Sequence, residues 1–112
     1  MTRILWALAI LAASAAPEPF MEGVATWYGE PHVGRTMQNG QPYDPGAMTC
    51  AVDISRWEQL QGAQLLVCTA QACVECRVTD TYYADGVDLS VAAFRQLAAL
   101  GVGVASVRVW RQ

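Results

Sequence analysis

Five aspartates and a run of aromatic rings are the residues of this chain whose types and spacing could do chemistry. Asp80 lies in Val78-Thr79-Asp80-Thr81-Tyr82-Tyr83, after an apolar stretch, and an acid beside two tyrosines at a strand end suits the handling of a sugar polymer. A carboxyl group there can protonate a glycosidic oxygen when an apolar or acidic setting raises its pKa; cleavage ordinarily needs a second carboxylate across the bond. Asp44, Asp53, Asp85 and Asp88 are available for that second role, and Asp44 and Asp53 are the candidates placed beside Asp80 as catalytic. The plain alternative for Asp80 is a turn aspartate bonding nearby amides. Asp88, two residues before Ser90, reads first as structural, because short acids there commonly bond the first amides of a helix.

Binding residues are expected in Gly23 to Asp44, GVATWYGEPHVGRTMQNGQPYD, where rings, glycines and turn dipeptides crowd together. Trp27, Tyr28, Tyr43, Tyr82 and Tyr83 could form a platform on which pyranose faces stack, and Trp27, Tyr28, Gln41, Tyr43 and Tyr82 are the expected substrate-binding set. Trp57 and Trp110, in a helix and a final strand, read as packing. His32 is the only histidine, too isolated for a metal site, and reads as a solvated loop residue or a supporting contact at a groove rim.

The elements that position these groups follow from periodicity. Short apolar runs with turn signals between them predict strands over 23–28, 48–54, 63–69, 73–79 and 104–110. Ser55 followed by Glu58 predicts a short helix stopped by Gly62; Ser90 predicts the cap of a second, running to Leu100 and ended by Gly101. Five or six strands with one or two short helices favour a small closed barrel that removes exposed edges.

Cys50, Cys68, Cys73 and Cys76 are even in number, which in an exported small domain predicts disulfides. If the runs flanking Thr69 to Ala72 form a hairpin, Cys68 faces Cys73; Cys76, three residues on, points to the other face and leaves Cys50 as partner. A zinc site is the rival reading, against which the lone histidine and export both count. No metal and no cofactor is expected.

Export is read from the N-terminus: Thr2-Arg3 is a small positive start, Ile4 to Ala13 is apolar, and Ala13-Ser14-Ala15 resembles a cleavage signal. Residues 1–15 are therefore expected to be a signal peptide and 16–112 a single domain, secreted, periplasmic or wall-associated. The ten-residue apolar run falls short of the roughly 20 needed to span a bilayer, so no stable membrane anchor is expected after cleavage. Loss of Arg3 leaves six scattered arginines, no lysine and ten acidic residues, a formal charge of −4 that argues against a nucleic-acid partner. A monomer is expected.

The order WYG, GRTMQNGQPYD, MTCAVDI, CRVTDTYY and GVDLSVAAFRQLAALGV resembles rare lipoprotein A and the wider group of double-psi β-barrels that includes barwin and the expansins. The resemblance covers nearly all of the chain after the signal and implies a mainly β, six-stranded double-psi barrel with a polysaccharide partner, peptidoglycan above all. In the cleaving lipoproteins it implies an acid, a histidine and an aspartate at positions that fall here on Gln41, Val52 and Asp80, so two of the three are substituted. A carboxamide has no titratable proton to give and valine cannot replace histidine. The reading is thus a glycan-binding protein that remodels or binds polysaccharide without efficient cleavage. An active lytic transglycosylase or glycosidase using Asp80, and a barwin-like protein-binding or defence module, are the alternatives.

Overall fold

The computed structural model describes residues 17–112, so the expected signal peptide lies outside the described residues. Six strands run in the order β1 (Met21–Tyr28), β2 (Thr49–Asp53), β3 (Gln64–Cys68), β4 (Cys73–Tyr82), β5 (Val87–Ser90) and β6 (Ala105–Arg111). They pair as β1-β5-β2-β4-β3-β6, and β6 returns to β1 to close a barrel. The β1–β5 and β2–β4 pairs are parallel and the rest antiparallel. The mainly β, six-stranded barrel matches the fold expected from the sequence.

Alternation builds the core. Leu65 and Val67 on β3, Val74, Cys76 and Val78 on β4, Val87 and Leu89 on β5, and Val107 and Val109 on β6 all point inward. Phe94 closes one end from helix α2 (Val91–Arg95), which Ser90 caps by accepting the Ala93 amide at 3.2 Å. That cap is where the sequence predicts it, but the helix is shorter. Gln96 and Leu97 donate to carbonyls only three residues back, Leu97 turns into the core, and Ala99 is extended before a 3₁₀ turn at Leu100–Val102.

The other helix, α1 (Trp57–Leu60), follows a 3₁₀ turn at Ile54–Arg56. Its entry is capped by Asp53, whose Oδ2 accepts the Ser55 amide at 3.0 Å and also the Ser55 hydroxyl, and not by Ser55 as the Ser-to-Glu spacing predicts. Gly62 leaves the helix at φ +74°, a conformation that favours glycine.

Both disulfides have the expected pairing. Cys68 and Cys73 are register partners across the β3–β4 hairpin, with Cα atoms 4.0 Å apart. Cys50 and Cys76 join β2 to β4 inside the barrel, fully buried. All four thiols are thereby consumed, which removes the thiolates a zinc site would need.

β5 is the strand absent from the sequence reading, and β4 runs three residues past its predicted end at Thr79. Gly86 makes β5 possible: its φ is +99°, and a Cβ there would overlap the Val24 carbonyl oxygen of β1. Only glycine lets Val87–Ser90 come so close beside β1.

Candidate functional site

The register carries four residues into one row across the outside of the barrel. Thr26 on β1 pairs with Asp88 on β5, Asp88 with Ala51 on β2, and Ala51 with Asp80 on β4. Partners in register point the same way, so all four belong to one face. Ala51 between the carboxylates carries only a methyl group and is itself 2% exposed, so the two acids and not Ala51 present the polar groups of the row.

Asp80 joins this row because of a bulge. Cys50 pairs with Val78, yet the next residue of β2, Ala51, pairs with Asp80, so Thr79 is an extra residue on β4. In a regular ladder Thr79 would pair with Ala51 and Asp80 with Val52, which is 1% exposed and lies in the core. One inserted residue thus turns the carboxylate from the interior to the surface. Thr79 itself is buried and donates its hydroxyl to the Met37 sulfur at 3.3 Å.

The two acids have different surroundings. Asp88 is largely buried; desolvation raises its pKa above the ordinary carboxylate value, and the Asp80 charge adds to that rise. The Thr26 hydroxyl, donating to Asp88 Oδ1 at 2.8 Å, and the nearby His32 act in the opposite direction. Asp80 accepts from three donors: the Gln38 and Thr81 amides reach Oδ1 at 2.9 Å each, and the Tyr28 hydroxyl reaches Oδ2 at 3.3 Å.

Tyrosines frame the row. Tyr28 shares the outward face of β1 with Thr26, and burial, with the Asp80 charge second, pushes its phenol well above the usual range. Tyr43 stacks on it with ring centroids 4.2 Å apart and the planes 18° from parallel, and donates its hydroxyl to the Tyr28 carbonyl. His32 meets Tyr28 edge-on at 5.8 Å, at the rim. On the far side Tyr82 donates to the Asp85 carbonyl at 3.0 Å, and burial raises its pKa to about 12. Tyr83 beside it is 85% exposed.

Several residues of the sequence-based set sit elsewhere. Neighbouring strand residues point to opposite faces, so Tyr28 and Trp27 cannot share a platform. Trp27 pairs with buried Leu89, packs on the core and donates its indole N–H to the Leu100 carbonyl at 2.9 Å. Tyr43 is 3% exposed and supports Tyr28 from beneath. Asp44 accepts the Gly46 amide at 2.9 Å as a turn residue, and Asp53 caps the entry to α1. Asp53 is held below the ordinary carboxylate pKa, chiefly by the Ser55 hydroxyl. Gln41 lies in a tight turn, its amide bonded to Asn39 Oδ1 at 3.0 Å, and the glutamine that reaches the row is Gln38.

Thr26 and Gln38 are the residues sequence reasoning did not place in the site, and Asp88, available there as a second carboxylate, reads first as structural. Thr26 carried a usable signal, since it alternates with Tyr28 on one strand. Asp88 carried one as well: Val87 and Leu89 flank it as inward positions, and the structure gives it Thr26 and not the amides of α2.

Two concavities flank the barrel. One of about 720 Å³ opens between Glu22, Arg108, Trp110 and the β3–β4 turn, away from the row. Another, of about 390 Å³, adjoins the row at Gln38 and extends past Asn39 to Trp57, Gln61 and Arg77.

No family model and no curated protein matches the chain. Among solved structures it is similar to the apo form of a Clavibacter michiganensis expansin, at 24% identity and TM-score 0.67, over 81% of this chain and 49% of that one. It is likewise similar to a mutant of that expansin in complex with cellohexaose, at 23% identity and TM-score 0.66, with the same coverage. A Streptomyces papain inhibitor is similar at 24% identity and TM-score 0.63, over 81% of this chain and 94% of that chain. The chain thus spans about half the length of the expansin chains and nearly all of the inhibitor. These likenesses show the fold.

Proposed function

We propose that this chain is an exported polysaccharide-binding barrel that holds an extended glycan, with peptidoglycan the foremost candidate, along the row from Thr26 to Asp80 and does not cleave it efficiently. The observation that carries the reading is the unequal pair of acids on one open face. Asp88 is largely buried, its carboxyl pKa is raised by that burial, and its Oδ1 accepts the Thr26 hydroxyl. Asp80 already accepts three hydrogen bonds. A glycosidase needs its second carboxylate free to attack the anomeric carbon or to activate water. Asp80 is positioned by Gln38, Thr81 and Tyr28 across Ala51 from Asp88, about two strand spacings away, and Gln41 and Val52 supply neither the acid nor the histidine that cleavage would draw on. The face therefore grips hydroxyl groups and has no second group ready for the cleavage step.

Support for a glycan comes also from the expansin with cellohexaose bound, a neighbour in fold. The test is to incubate the oxidised protein, freed of its signal, with purified sacculi and with cellulose, measure the bound fraction, and analyse the supernatant by mass spectrometry. Retention without soluble fragments, reduced by Tyr28→Ala, is the expected result. Release of muropeptides that stops in Asp80→Asn or Asp88→Asn would establish a cleaving enzyme in its place.

A protein partner is the second reading, favoured by the match to almost the full length of the papain inhibitor. Inhibition of papain by micromolar protein, with retention on neither polymer, would select it.

A further inference from the structure

The concavity beside the row differs from it in charge. The row is acidic, with Asp80 and Asp88, whereas the concavity is lined by the amides of Gln38, Asn39 and Gln61, the ring of Trp57 and the guanidinium of Arg77, with no acid among its walls. Arg77 is held in position by one hydrogen bond, Nη1 to the Gly62 carbonyl at 2.7 Å. Among the described residues the one ion pair joins Glu22 to Arg108, so Arg77 has no carboxylate partner there. In a chain of net charge −3 this is a cation with most of its five N–H groups uncommitted, facing an acid-free hollow.

The hollow adjoins the row at Gln38. Gln38 belongs to both: its amide bonds Asp80, its side-chain oxygen accepts from the Thr81 hydroxyl at 3.3 Å, and it forms one wall of the concavity. Arg77 precedes Asp80 by three residues on β4, about 10 Å along the strand. The row runs across the strands and Arg77 lies off it along β4, so a chain or branch that leaves the row at Asp80 along β4 reaches Arg77. Trp57, packed on the core, offers an apolar wall to a sugar face, and the amides offer donors and acceptors to its hydroxyls.

We propose that this concavity is an accessory subsite for a carboxylate-bearing sugar, a uronate, whose anion is received by Arg77 while its ring rests against Trp57. The inference rests on the glycan-binding reading above, not on peptidoglycan in particular, whose strands carry no uronate, and it extends that reading to uronate-bearing polysaccharides. The guanidinium fork matches a carboxylate in two parallel hydrogen bonds, which a neutral hydroxymethyl group cannot reproduce.

The test compares cellulose with cellulose oxidised at C6 to the uronate, which keeps the backbone and changes the charge, at 0.15 M salt. An acidic protein is repelled by a polyanion in general, so a preference for the oxidised polymer reports a local cation. The expected result is about fivefold tighter retention on oxidised cellulose, the scale of an exposed charge pair, lost in Arg77→Gln and partly kept in Arg77→Lys, with retention on plain cellulose and the melting temperature unchanged. Equal or weaker retention of the wild-type protein on the oxidised polymer, or a preference that survives Arg77→Gln, would overturn the subsite and leave the glycan reading standing. Retention on neither polymer, nor on sacculi, would remove both.

Discussion

Asp80 and Asp88 are both register partners of the same residue, Ala51, one on each side of β2. Two strand spacings separate their backbones, about 10 Å, and the Asp80 charge still contributes to the raised pKa of Asp88. The two acids stand on three adjacent strands, and the Asp80 charge is the smallest of the influences on Asp88, behind burial, the Thr26 hydroxyl and His32.

The raised pKa of Asp88 fixes a sign. In the window above the ordinary value of 3.8, the folded protein binds more protons at this position than the unfolded chain, so this residue's contribution favours the fold at low pH and fades as pH rises through the folded-state pKa. Asp88→Asn removes the titration while keeping an acceptor for Thr26. The expected outcome is a variant whose melting temperature gains on the wild type by a few degrees between pH 4 and pH 7. A difference that stays flat across that range in thermal scans would contradict the buried, raised carboxyl.

Gly86→Ala tests the approach of β5 to β1. The new side chain meets the Val24 carbonyl oxygen at a φ that only glycine tolerates. A loss of about 2 kcal/mol or more is expected, roughly a 10 °C fall in melting temperature for a domain of this size. Because β5 carries Asp88 and the preceding loop meets Tyr82, retention on glycan should fall at temperatures where circular dichroism still reports a folded protein.

Tyr43 acts through Tyr28. Its hydroxyl donates to the Tyr28 carbonyl and accepts the Val91 amide at 3.3 Å, tying the row to the start of α2. Tyr43→Phe keeps the stacked ring and leaves those two backbone groups without their partner, at an expected cost of about 1–2 kcal/mol by urea denaturation. Glycan retention should weaken although Tyr43 is buried. Unchanged retention and unchanged stability together would show that Tyr28 needs no such support.

The two disulfides should separate under reduction. Cys73 is exposed at the hairpin, whereas Cys50 and Cys76 are fully buried. Mild reductant followed by alkylation and peptide mapping is expected to label Cys68 and Cys73 first, with the fold retained. Closing the 26-residue separation of the buried bond is worth about 3.5 kcal/mol of chain entropy, against about 2 kcal/mol for the short hairpin loop. Cys50→Ala combined with Cys76→Ala should therefore destabilise more than the Cys68 and Cys73 pair of substitutions.

Much of the scaffold is legible in the chain because it is written in local pattern. Alternation marks β1, β3 and β6, the hairpin pairs Cys68 with Cys73, and Ser90 caps a helix as its position predicts. The site is less legible because it is a product of register. Nothing in Val78-Thr79-Asp80 announces that Thr79 is the extra residue, since a bulge exists only relative to a partner strand. For the same reason Trp27 and Tyr28 look alike in sequence and differ in role: the face each takes is decided by the register with β5, where Trp27 pairs with Leu89 and Tyr28 with Ser90. Asp88 reads as a cap because Ser90, two residues on, is one, and that signal outweighs the alternation of Val87 and Leu89 around it.

The groups that define the row stand on paired strands of a closed barrel, and their side chains are fixed by Thr26, Tyr28 and Gln38 before any ligand arrives. A surface made this way does not mould itself to what it meets. If it holds a glycan as proposed, it selects the conformers of a flexible polymer that are already straight over the reach of four strands, and the ordering entropy of association falls on the polymer alone. Stretched or crystalline chains, which have surrendered that freedom beforehand, are then the better ligands, and the mechanical state of the target becomes as much a determinant of binding as its chemical composition.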